Sequence, residues 1–414
     1  MKKNIVAGLD IGTTKVYCVI AEKEDEQLKI IGTGYVSSKG GMRSGLISNI
    51  GKMSDVIKEA VSKASEQAGV KVSELNIGIA GEHIRSIKYT GYVPITGENG
   101  EVVKEDLERL ANDVKRLNSS KEMVMLHILP LKYLVDGVAV EDPLNMTGTK
   151  LEGIYHIIMA SVSAVKNIEK AVNMAGYSVR SKVLQPLASS MAVLDENEKD
   201  LGVILIDIGG GTTDVAVFKN KRLIYTGIIG YGGDKITNSI RETFSIVTEE
   251  AEKVKRTIGY ALNKAIVNNN SIRVPGVGAT EEVTINAELL TQIINNIMQQ
   301  IFERIDFILR QEKIKRHAKA GIVITGGGAL LRGVDLLATD VLGLKAKLGL
   351  PTGYISKVDE EIEKPEYATA LGLIKEIPGI TSEQSKNIYS AKKQKNESAF
   401  SKFFKKVKEV FDEL

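Results

Sequence analysis

The chain has 414 residues, long enough for two or more domains with cores of their own. Hydrophobic residues make up 43% and charged residues 26%, as in an ordinary soluble protein, and a net charge of +3 is too small to indicate a nucleic-acid partner. The single cysteine, Cys18, excludes an intrachain disulfide framework and fits a reducing cytoplasm. No apolar run reaches 18 residues, so no membrane-spanning helix is predicted.

The first part of the chain predicts mixed strands and helices. Apolar runs predict strands over 5–11, 16–21 and 28–35, and apolar or small residues at helical spacing predict a helix over 52–68. A further apolar run, 75–80, precedes a glycine. This alternation favours an α/β fold.

Residues 84–164 have the character of an inserted α+β module. The predicted order is a strand at 84–93, a turn at 96–100, a helix at 103–117, and strands at 123–135 and 150–163. A helix over 164–175 and a strand over 178–183 follow, and a loop at Gln185-Pro186 then leads into another helix.

The second half opens with a strand over 202–208 and repeats the three-strand pattern through 223–228. The remaining predicted elements are a helix starting at 230–234, helices at 248–258 and 287–310 around a strand region at 270–286, a strand, glycine turn and helix within 320–338, and a last helix at 365–377.

Two stretches, 8–16 and 205–215, share one layout: an apolar run, Asp, an apolar residue, a glycine turn with two threonines, and another apolar run. Glycines let backbone N–H groups approach a phosphate, and threonine hydroxyls add donors. The candidate phosphate contacts are Gly12, Thr13, Thr14, Gly209, Gly210, Gly211, Thr212 and Thr213. Asp10 and Asp207 each end a strand beside the turn, where a carboxylate can hold a hydrated divalent cation such as Mg²⁺.

Either stretch alone also fits an ordinary β-hairpin, whereas their repetition favours a duplicated fold that holds a nucleotide from both sides. Neither is a Walker loop or a dinucleotide fingerprint. Lys15, just after the first turn, can pair with phosphate oxygens or be an exposed strand-end lysine. Gln185 can orient a water for attack on a γ-phosphate or be a surface polar residue.

Further candidate contacts lie downstream. Gly326, Gly327 and Gly328 follow a strand, as backbone approaching a ligand requires, although such turns are common. Glu252, Lys255 and Arg256 share one helix face, which on spacing alone favours a solvated ion-pair face over a clamp on adenine and ribose.

The C-terminus changes character. Residues 381–397 are polar and rich in Ser, Lys and Asn, which predicts a flexible linker. Residues 398–414 predict a helix with one apolar stripe, suited to a bilayer interface and less so to docking on the protein's own core. The stripe is Phe400, Phe403, Phe404, Val407, Val410, Phe411 and Leu414, flanked by Lys402, Lys405, Lys406 and Lys408.

Together these motifs resemble the actin/Hsp70/sugar-kinase superfamily and, within it, the FtsA family of bacterial actin-like cell-division proteins. The resemblance covers essentially the whole chain. It matches the phosphate loops to 10–15 and 207–214, the connecting segments to 185–189 and 367–372, and the adenosine motif to 325–328. Residues 252–257 also resemble the adenosine-contacting helix of Hsp70 chaperones, and Gly233 is a further nucleotide contact by the same resemblance.

The resemblance implies a duplicated actin-like, ribonuclease H-like ATPase fold with two lobes. The first lobe would comprise 1–83, 165–195 and 360–380, and carry the insert 84–164. The core of the second lobe would comprise 196–231 and 301–359, with an outer subdomain at 232–300.

The resemblance also implies binding of ATP with Mg²⁺, head-to-tail polymerisation, and binding of the C-terminal peptide of FtsZ through 232–300. The tail would attach the division ring to the cytoplasmic face of the cell membrane, and the insert would recruit later division proteins. Gln185 and Asp207 would position an attacking water, with at most weak ATPase activity. The motifs do not distinguish hydrolysis from use of ATP as an assembly switch.

Three other functions fit parts of the chain. A sugar-kinase-like phosphotransferase would need a substrate base between the lobes, for which no extra motif is present. A chaperone-like ATPase would need a large peptide-binding domain after residue 377, where only about 37 residues remain. An adaptor like PilM of type IV pilus assembly would share the core and insert but lack the tail.

Overall fold

A computed structural model describes residues 4–24, 27–38, 40–116, 121–262, 271–278, 282–358 and 361–375. The strands are β1 Ile5–Ile11, β2 Lys15–Glu24, β3 Gln27–Ser37, β4 Met42–Arg43, β5 Leu46–Ile47, β6 Glu74–Ile79, β7 Arg85–Pro94, β8 Met123–Val135, β9 Val138–Val140, β10 Lys150–Ser161, β11 Ser178–Leu184, β12 Val203–Ile208, β13 Thr213–Lys219, β14 Arg222–Ile229, β15 Ser271–Pro275, β16 Glu282–Asn286, β17 Ile322–Thr325, β18 Ala346–Leu348 and β19 Tyr354–Ser356.

The helices are α1 Ile50–Ala68, α2 Lys104–Arg116, α3 Val162–Met174, α4 Gln185–Val193, α5 Glu196–Leu201, α6 Gly233–Phe244, α7 Thr248–Ile258, α8 Ala287–Gln311, α9 Val334–Leu342 and α10 Ala368–Leu373. The first of them begins and ends as its sequence dictates: Asn49 caps α1 by accepting from the Lys52 amide, and Gly69 ends that helix in the left-handed conformation. No helix within the described ranges is long and apolar enough to cross a membrane.

Two sheets confirm the predicted duplication. The first sheet has the order β11-β6-β1-β2-β3-β19, and the second sheet has the order β14-β13-β12-β17-β18. In both, an antiparallel three-strand meander (β1-β2-β3 or β12-β13-β14) is extended by parallel strands. The second order, reversed, matches the first strand for strand except for β19, which has no counterpart. β1 and β12 therefore occupy equivalent central positions, and Asp10 and Asp207 lie near their ends.

The two sheets are interlocked by the end of the chain. β19 lies in the segment predicted for the second lobe, yet it pairs in parallel with β3 of the first sheet. α10 packs against β1 and against α4. A Cβ on Gly372 would lie 1.8 Å from the carbonyl oxygen of Ala188, so the crossing of α4 and α10 requires glycine at this point.

The insert forms its own antiparallel sheet, in the order β7-β10-β8-β9, and α2 packs against β7 and β10. The α2 side has its own apolar cluster, which includes Leu110, Tyr155 and Ile157. The opposite side buries Leu126 and Leu129 in the large core cluster around the first sheet. The predicted α+β insert is therefore present as a two-layer unit.

A buried histidine in the insert predicts an acid-sensitive contribution to stability. Burial lowers the pKa of His156 to about 4, against the opposing effect of its hydrogen bond to the Leu223 carbonyl. A histidine in the unfolded chain has a pKa near 6.5. As the pH falls from about 6.5 towards 4, the unfolded chain takes up a proton that the folded chain does not, so the free energy of unfolding decreases. The stability difference between wild type and His156→Gln should therefore shrink by up to about 1.4 kcal/mol per pH unit in that window.

Urea unfolding of both proteins at pH 7, 6 and 5 measures this difference. Burial also raises the pKa of Asp10 to about 7, which changes stability with pH in the opposite sense but cancels between the two proteins. A difference that does not change with pH would contradict the prediction.

Three predicted elements differ from the structure. The helix expected at 365–377 is a 3-10 turn, Pro365–Tyr367, followed by α10, and residues 376–377 lie outside the described residues. The glycine turn leads into a 3-10 turn, Gly327–Leu330, and α9 begins only after Gly333 adopts a left-handed conformation. No loop precedes Gln185, because β11 runs directly into α4 and Leu184 serves as its N-cap.

Candidate functional site

The two phosphate-loop candidates are hairpins with the same turn. The Gly12 amide donates to the Lys15 carbonyl at 2.8 Å, and the Gly209 amide donates to the Thr212 carbonyl at 2.9 Å. The flanking pairs, Ile11 with Val16 and Ile208 with Thr213, are also equivalent. The repeated sequence motif therefore folds into a repeated backbone structure.

The tips of the two hairpins, one from each sheet, are in contact. The region between these hairpins, Asp10 and Asp207 is called the cleft below. A Cβ on Gly210 would lie 2.5 Å from Thr14 Cγ2, and one on Gly211 would lie 2.6 Å from Thr13 Oγ1. A Cβ at either position would require a threonine side chain to move, so these glycines serve the contact between the two halves as well as the turn. The Thr212 hydroxyl lies 3.3 Å from Asp214 Oδ2. Thr213 differs from the expectation of a free donor, because its hydroxyl donates to the Tyr231 carbonyl at 2.8 Å.

α4 contacts both aspartates through side chains one turn apart. Gln185 Nε2 donates to Asp10 Oδ1 at 3.0 Å, and Ser189 Oγ donates to Asp207 Oδ2 at 2.5 Å. Thr369 on α10 also donates to Asp207 Oδ2, at 3.4 Å. The residues that join the two halves are thus the ones that orient the two carboxylates.

Three carboxyl groups near the phosphate hairpins have raised pKa values, chiefly because they are buried. Burial raises the pKa of Asp10 to about 7, with Lys15 opposing this and Asp207 adding to it. Burial also raises the pKa of Asp207 and, together with Asp207, raises that of Asp214 well above its ordinary value. Asp214 Oδ1 is buried without a hydrogen-bond partner among the described residues.

These carboxylates suit a hydrated magnesium ion. Mg²⁺ prefers oxygen ligands and retains several waters, and a cation beside Asp10, Asp207 and Asp214 would offset their mutual repulsion. Within the described ranges, no group of three or more His, Cys, Asp or Glu side chains has the geometry for direct coordination of a metal ion.

Lys15 is partly buried, with 12% of its side chain exposed, which differs from the alternative of an exposed lysine. Its ammonium lies 3.3 Å from Glu366 Oε2, donates to the Glu366 carbonyl oxygen, and lies 4.8 Å from the centre of the Tyr367 ring. That ring stacks on Tyr17 at 4.2 Å between centroids. Burial lowers the pKa of Lys15, and Glu366 opposes this.

The other predicted contacts converge on the same cleft. Lys255 Nζ lies 2.6 Å from Glu252 Oε2 and donates to the Gly233 carbonyl at 3.2 Å. The Gly233 amide in turn donates to the Gly209 carbonyl at 2.9 Å, so α7 is joined to the second phosphate hairpin. Arg256 lies 3.9 Å from Glu366 Oε1.

The glycine turn after β17 lies against Asp207. A Cβ on Gly326 would lie 2.3 Å from Asp207 Oδ1, and one on Gly328 would lie 2.3 Å from Ile208 Cγ2. Gly327 faces open space, with nothing within 4 Å of an added Cβ. The turn is therefore close enough to the carboxylate to contact a nucleotide in the cleft.

Sequence reasoning missed several residues at this site. Glu366 was unassigned, and Ser189, Thr369 and Asp214 had no role beyond the motifs to which they belong. Tyr35 is half-exposed near this cluster, and Glu366 and Glu252 add to the effect of burial in raising its pKa. The residues predicted to bind the membrane, in the segment 398–414, lie outside the described residues, as does the linker 381–397.

Comparison with known proteins agrees with the fold. A family model described as "Cell division protein FtsA" matches residues 204–372, and one described as "SHS2 domain inserted in FTSA" matches residues 81–159. The cell division protein FtsA of Borreliella burgdorferi is 33% identical over 377 residues, which cover 90% of this chain and 91% of that protein. The chain belongs to the FtsA family.

Other members show the same extent of similarity. FtsA of Pseudomonas aeruginosa is 33% identical over 398 residues, covering 94% of each chain. FtsA of Escherichia coli K12 is 32% identical over 381 residues, covering 90% of each chain. The similarity to FtsA thus extends over both sheets and the insert.

Solved structures confirm an actin-like fold. The "PilM-PilN type IV pilus biogenesis complex" superposes with a TM-score of 0.64 at 19% identity, covering 89% of this chain and 97% of that one. MreB 5 of Spiroplasma citri bound to AMPPNP gives a TM-score of 0.54 at 16% identity, covering 90% and 95%. At these identities the likeness establishes the fold of this FtsA-family chain and not its ligands.

Proposed function

We propose that this cell-division protein binds Mg-ATP in the cleft, polymerises, and attaches the FtsZ ring to the cytoplasmic face of the cell membrane at the division site. The observation that carries the nucleotide part is the pair of equivalent hairpins, whose tips are in contact and whose first strands carry Asp10 and Asp207. The solved MreB 5 of the same fold is bound to AMPPNP, which supports nucleotide binding by a chain of this fold.

The proposed roles follow from the contacts. Backbone amides and hydroxyls of the two hairpins would bind the phosphates, and Lys15 would exchange Glu366 for a phosphate oxygen. Asp10 and Asp207 would hold Mg²⁺ through water, and the ion would neutralise phosphate charge. Gln185, already bound to Asp10, would orient a water near the γ-phosphate.

The base and sugar would lie between α7 and the glycine turn. Glu252, Lys255 and Arg256 share the face of α7 that is joined to Gly233. Gly326, Gly327 and Gly328 would contact the nucleotide from the opposite side through their backbone.

The membrane and protein contacts rest on sequence and family. The apolar stripe at 398–414, with its lysines, would lie in the bilayer interface. Residues 232–300 would bind the FtsZ C-terminal peptide, the insert at 84–164 would bind later division proteins, and copies of the chain would associate head to tail. A solved protein of similar fold, the "MamK double helical filament", supports self-association of this kind of chain.

Liposome co-sedimentation with and without Mg-ATP, followed by negative-stain microscopy of the pellet, tests this function. The expected result is ATP-dependent filaments on the vesicles. A deletion of residues 398–414 should lose vesicle binding and keep ATP binding. A monomer that turns over ATP without binding lipid would contradict the tethering role and favour an enzyme.

A single substitution in the stripe should also reduce membrane binding. Phe404→Glu removes one large apolar side chain, worth about 1.5–3 kcal/mol on burial, and puts a charge in its place. The vesicle partition coefficient should therefore fall by at least about tenfold. Asp412→Ala, outside the stripe, is the matched control and should bind vesicles as wild type does. Undiminished sedimentation of Phe404→Glu would contradict the membrane assignment.

A further inference from the structure

The insert contacts the exposed edges of both sheets. β11 is the edge strand of the first sheet, β14 is the edge strand of the second, and β8 packs against both. On the β14 side, His156 Nδ1 donates to the Leu223 carbonyl at 3.1 Å and Arg222 donates to the Leu131 carbonyl. The insert therefore joins the two halves at a place separate from the crossing of α4 and α10.

On the β11 side the insert makes a buried hydrogen bond. His127 of β8 accepts from the Leu184 amide through Nε2, at 2.9 Å, and only 4% of His127 is exposed. Burial lowers the pKa of His127 to about 3, so the ring is neutral at neutral pH and Nε2 is free to accept.

Leu184 is the point where β11 becomes α4. It is the N-cap of α4, with φ of -58° and ψ of 125°, and its apolar side chain cannot make a capping hydrogen bond. The next residue, Gln185, donates to Asp10 at 3.0 Å. A Cβ on Gly78 would lie 2.7 Å from Gln185 Cγ, so the Gln185 side chain is held closely on its other side.

We propose that His127 is a positioning residue for the nucleotide cleft: by accepting from the Leu184 amide it fixes the first turn of α4 and the direction of Gln185 towards Asp10. The insert thereby influences the part of the cleft proposed for the γ-phosphate through contacts of His127, the Leu184 amide and Gln185. The proposal rests on the proposed binding of ATP and adds a residue to it.

Two substitutions of similar size separate hydrogen bonding from packing. His127→Gln keeps an acceptor for the Leu184 amide, whereas His127→Met fills similar space without a strong one. Titration of the full chain with Mg-ATP and with Mg-ADP gives the preference for ATP. In His127→Met this preference should fall about fivefold, the size expected for one neutral hydrogen bond, with ADP affinity retained. His127→Gln should retain the wild-type preference.

A double-mutant cycle identifies the route. If His127 acts through Gln185, His127→Met should have no further effect on the preference in a Gln185→Ala background. Equal losses of ATP and ADP affinity, accompanied by a lower unfolding midpoint, would show a purely structural role and overturn the proposal. If His127→Met fails to fold, His127→Asn, whose shorter side chain retracts the acceptor, takes its place.

The same titrations distinguish a failure of nucleotide binding from a failure of the histidine's role. A wild-type chain that binds neither nucleotide would overturn the proposed function. A wild-type chain that binds both, with an unchanged preference in His127→Met, would overturn only the role of His127.

Discussion

Asp207→Asn should weaken binding of Mg-ATP about a hundredfold, or about 2.7 kcal/mol. Asparagine has nearly the size of aspartate and can still accept from Ser189 and Thr369, so both hydrogen bonds remain. The substitution removes the negative charge that would hold the hydrated Mg²⁺. Equilibrium titration with a fluorescent ATP analogue, in the presence of Mg²⁺ and then of EDTA, measures the effect.

The metal dependence makes this prediction specific. Without Mg²⁺ the Asp207 carboxylate repels the phosphates, so the variant should bind metal-free ATP at least as well as wild type. Asp200→Asn is the matched control, because the Asp200 side chain is exposed at the end of α5. Equal Mg-ATP affinity in Asp207→Asn and wild type would refute the role of Asp207.

Gly372→Ala should destabilise the chain by about 3 kcal/mol or more, at the upper end of the cost of overpacking. The new Cβ would lie 1.8 Å from the carbonyl oxygen of Ala188 and 2.4 Å from its carbon. The atoms in the way are backbone, so no side chain can move aside and the two helices must separate. Because Thr369 lies one turn earlier on α10, its contact with Asp207 should loosen and ATP binding should weaken as well.

Urea unfolding midpoints of Gly372→Ala and Gly51→Ala measure this effect. The second variant shows how much of any change comes from replacing a helical glycine by alanine, without a clash at the crossing of α4 and α10. At Gly51, in the first turn of α1, the nearest atom to an added Cβ is Asn49 Oδ1 at an ordinary 3.7 Å. That variant should be neutral or slightly more stable, since alanine favours helices by up to about 1 kcal/mol over glycine. A wild-type midpoint in Gly372→Ala would show that the crossing tolerates a methyl group.

The sequence predicted the features that depend on neighbouring residues. The spacing of apolar residues and the glycine turns predicted both hairpins, the insert strands and the long α8. The structure confirms these elements. The duplicated motif could be found because each copy is complete within about ten residues.

Contacts between distant segments could not be predicted from local sequence patterns. Lys15 and Glu366 are 351 positions apart, and nothing in either local sequence indicates that they pair. β19 has only three residues and no periodicity, so its place beside β3 is decided by tertiary pairing. On spacing alone the α7 ion pair favoured a solvated face, and only the family resemblance indicated a nucleotide contact. Its connection to the phosphate hairpin through Gly233 depends on the packing of α6 against α7.

The interlocking of the sheets has a consequence for how the chain folds during synthesis. β1 and β3 are synthesised long before their partners, because Gly8 packs against Ala370 and Leu373 of α10 and β3 pairs with β19. The first sheet therefore cannot be completed until β19 and α10 have been made. Such long-range closure slows folding and leaves apolar surface of β1 and β3 uncovered during that interval.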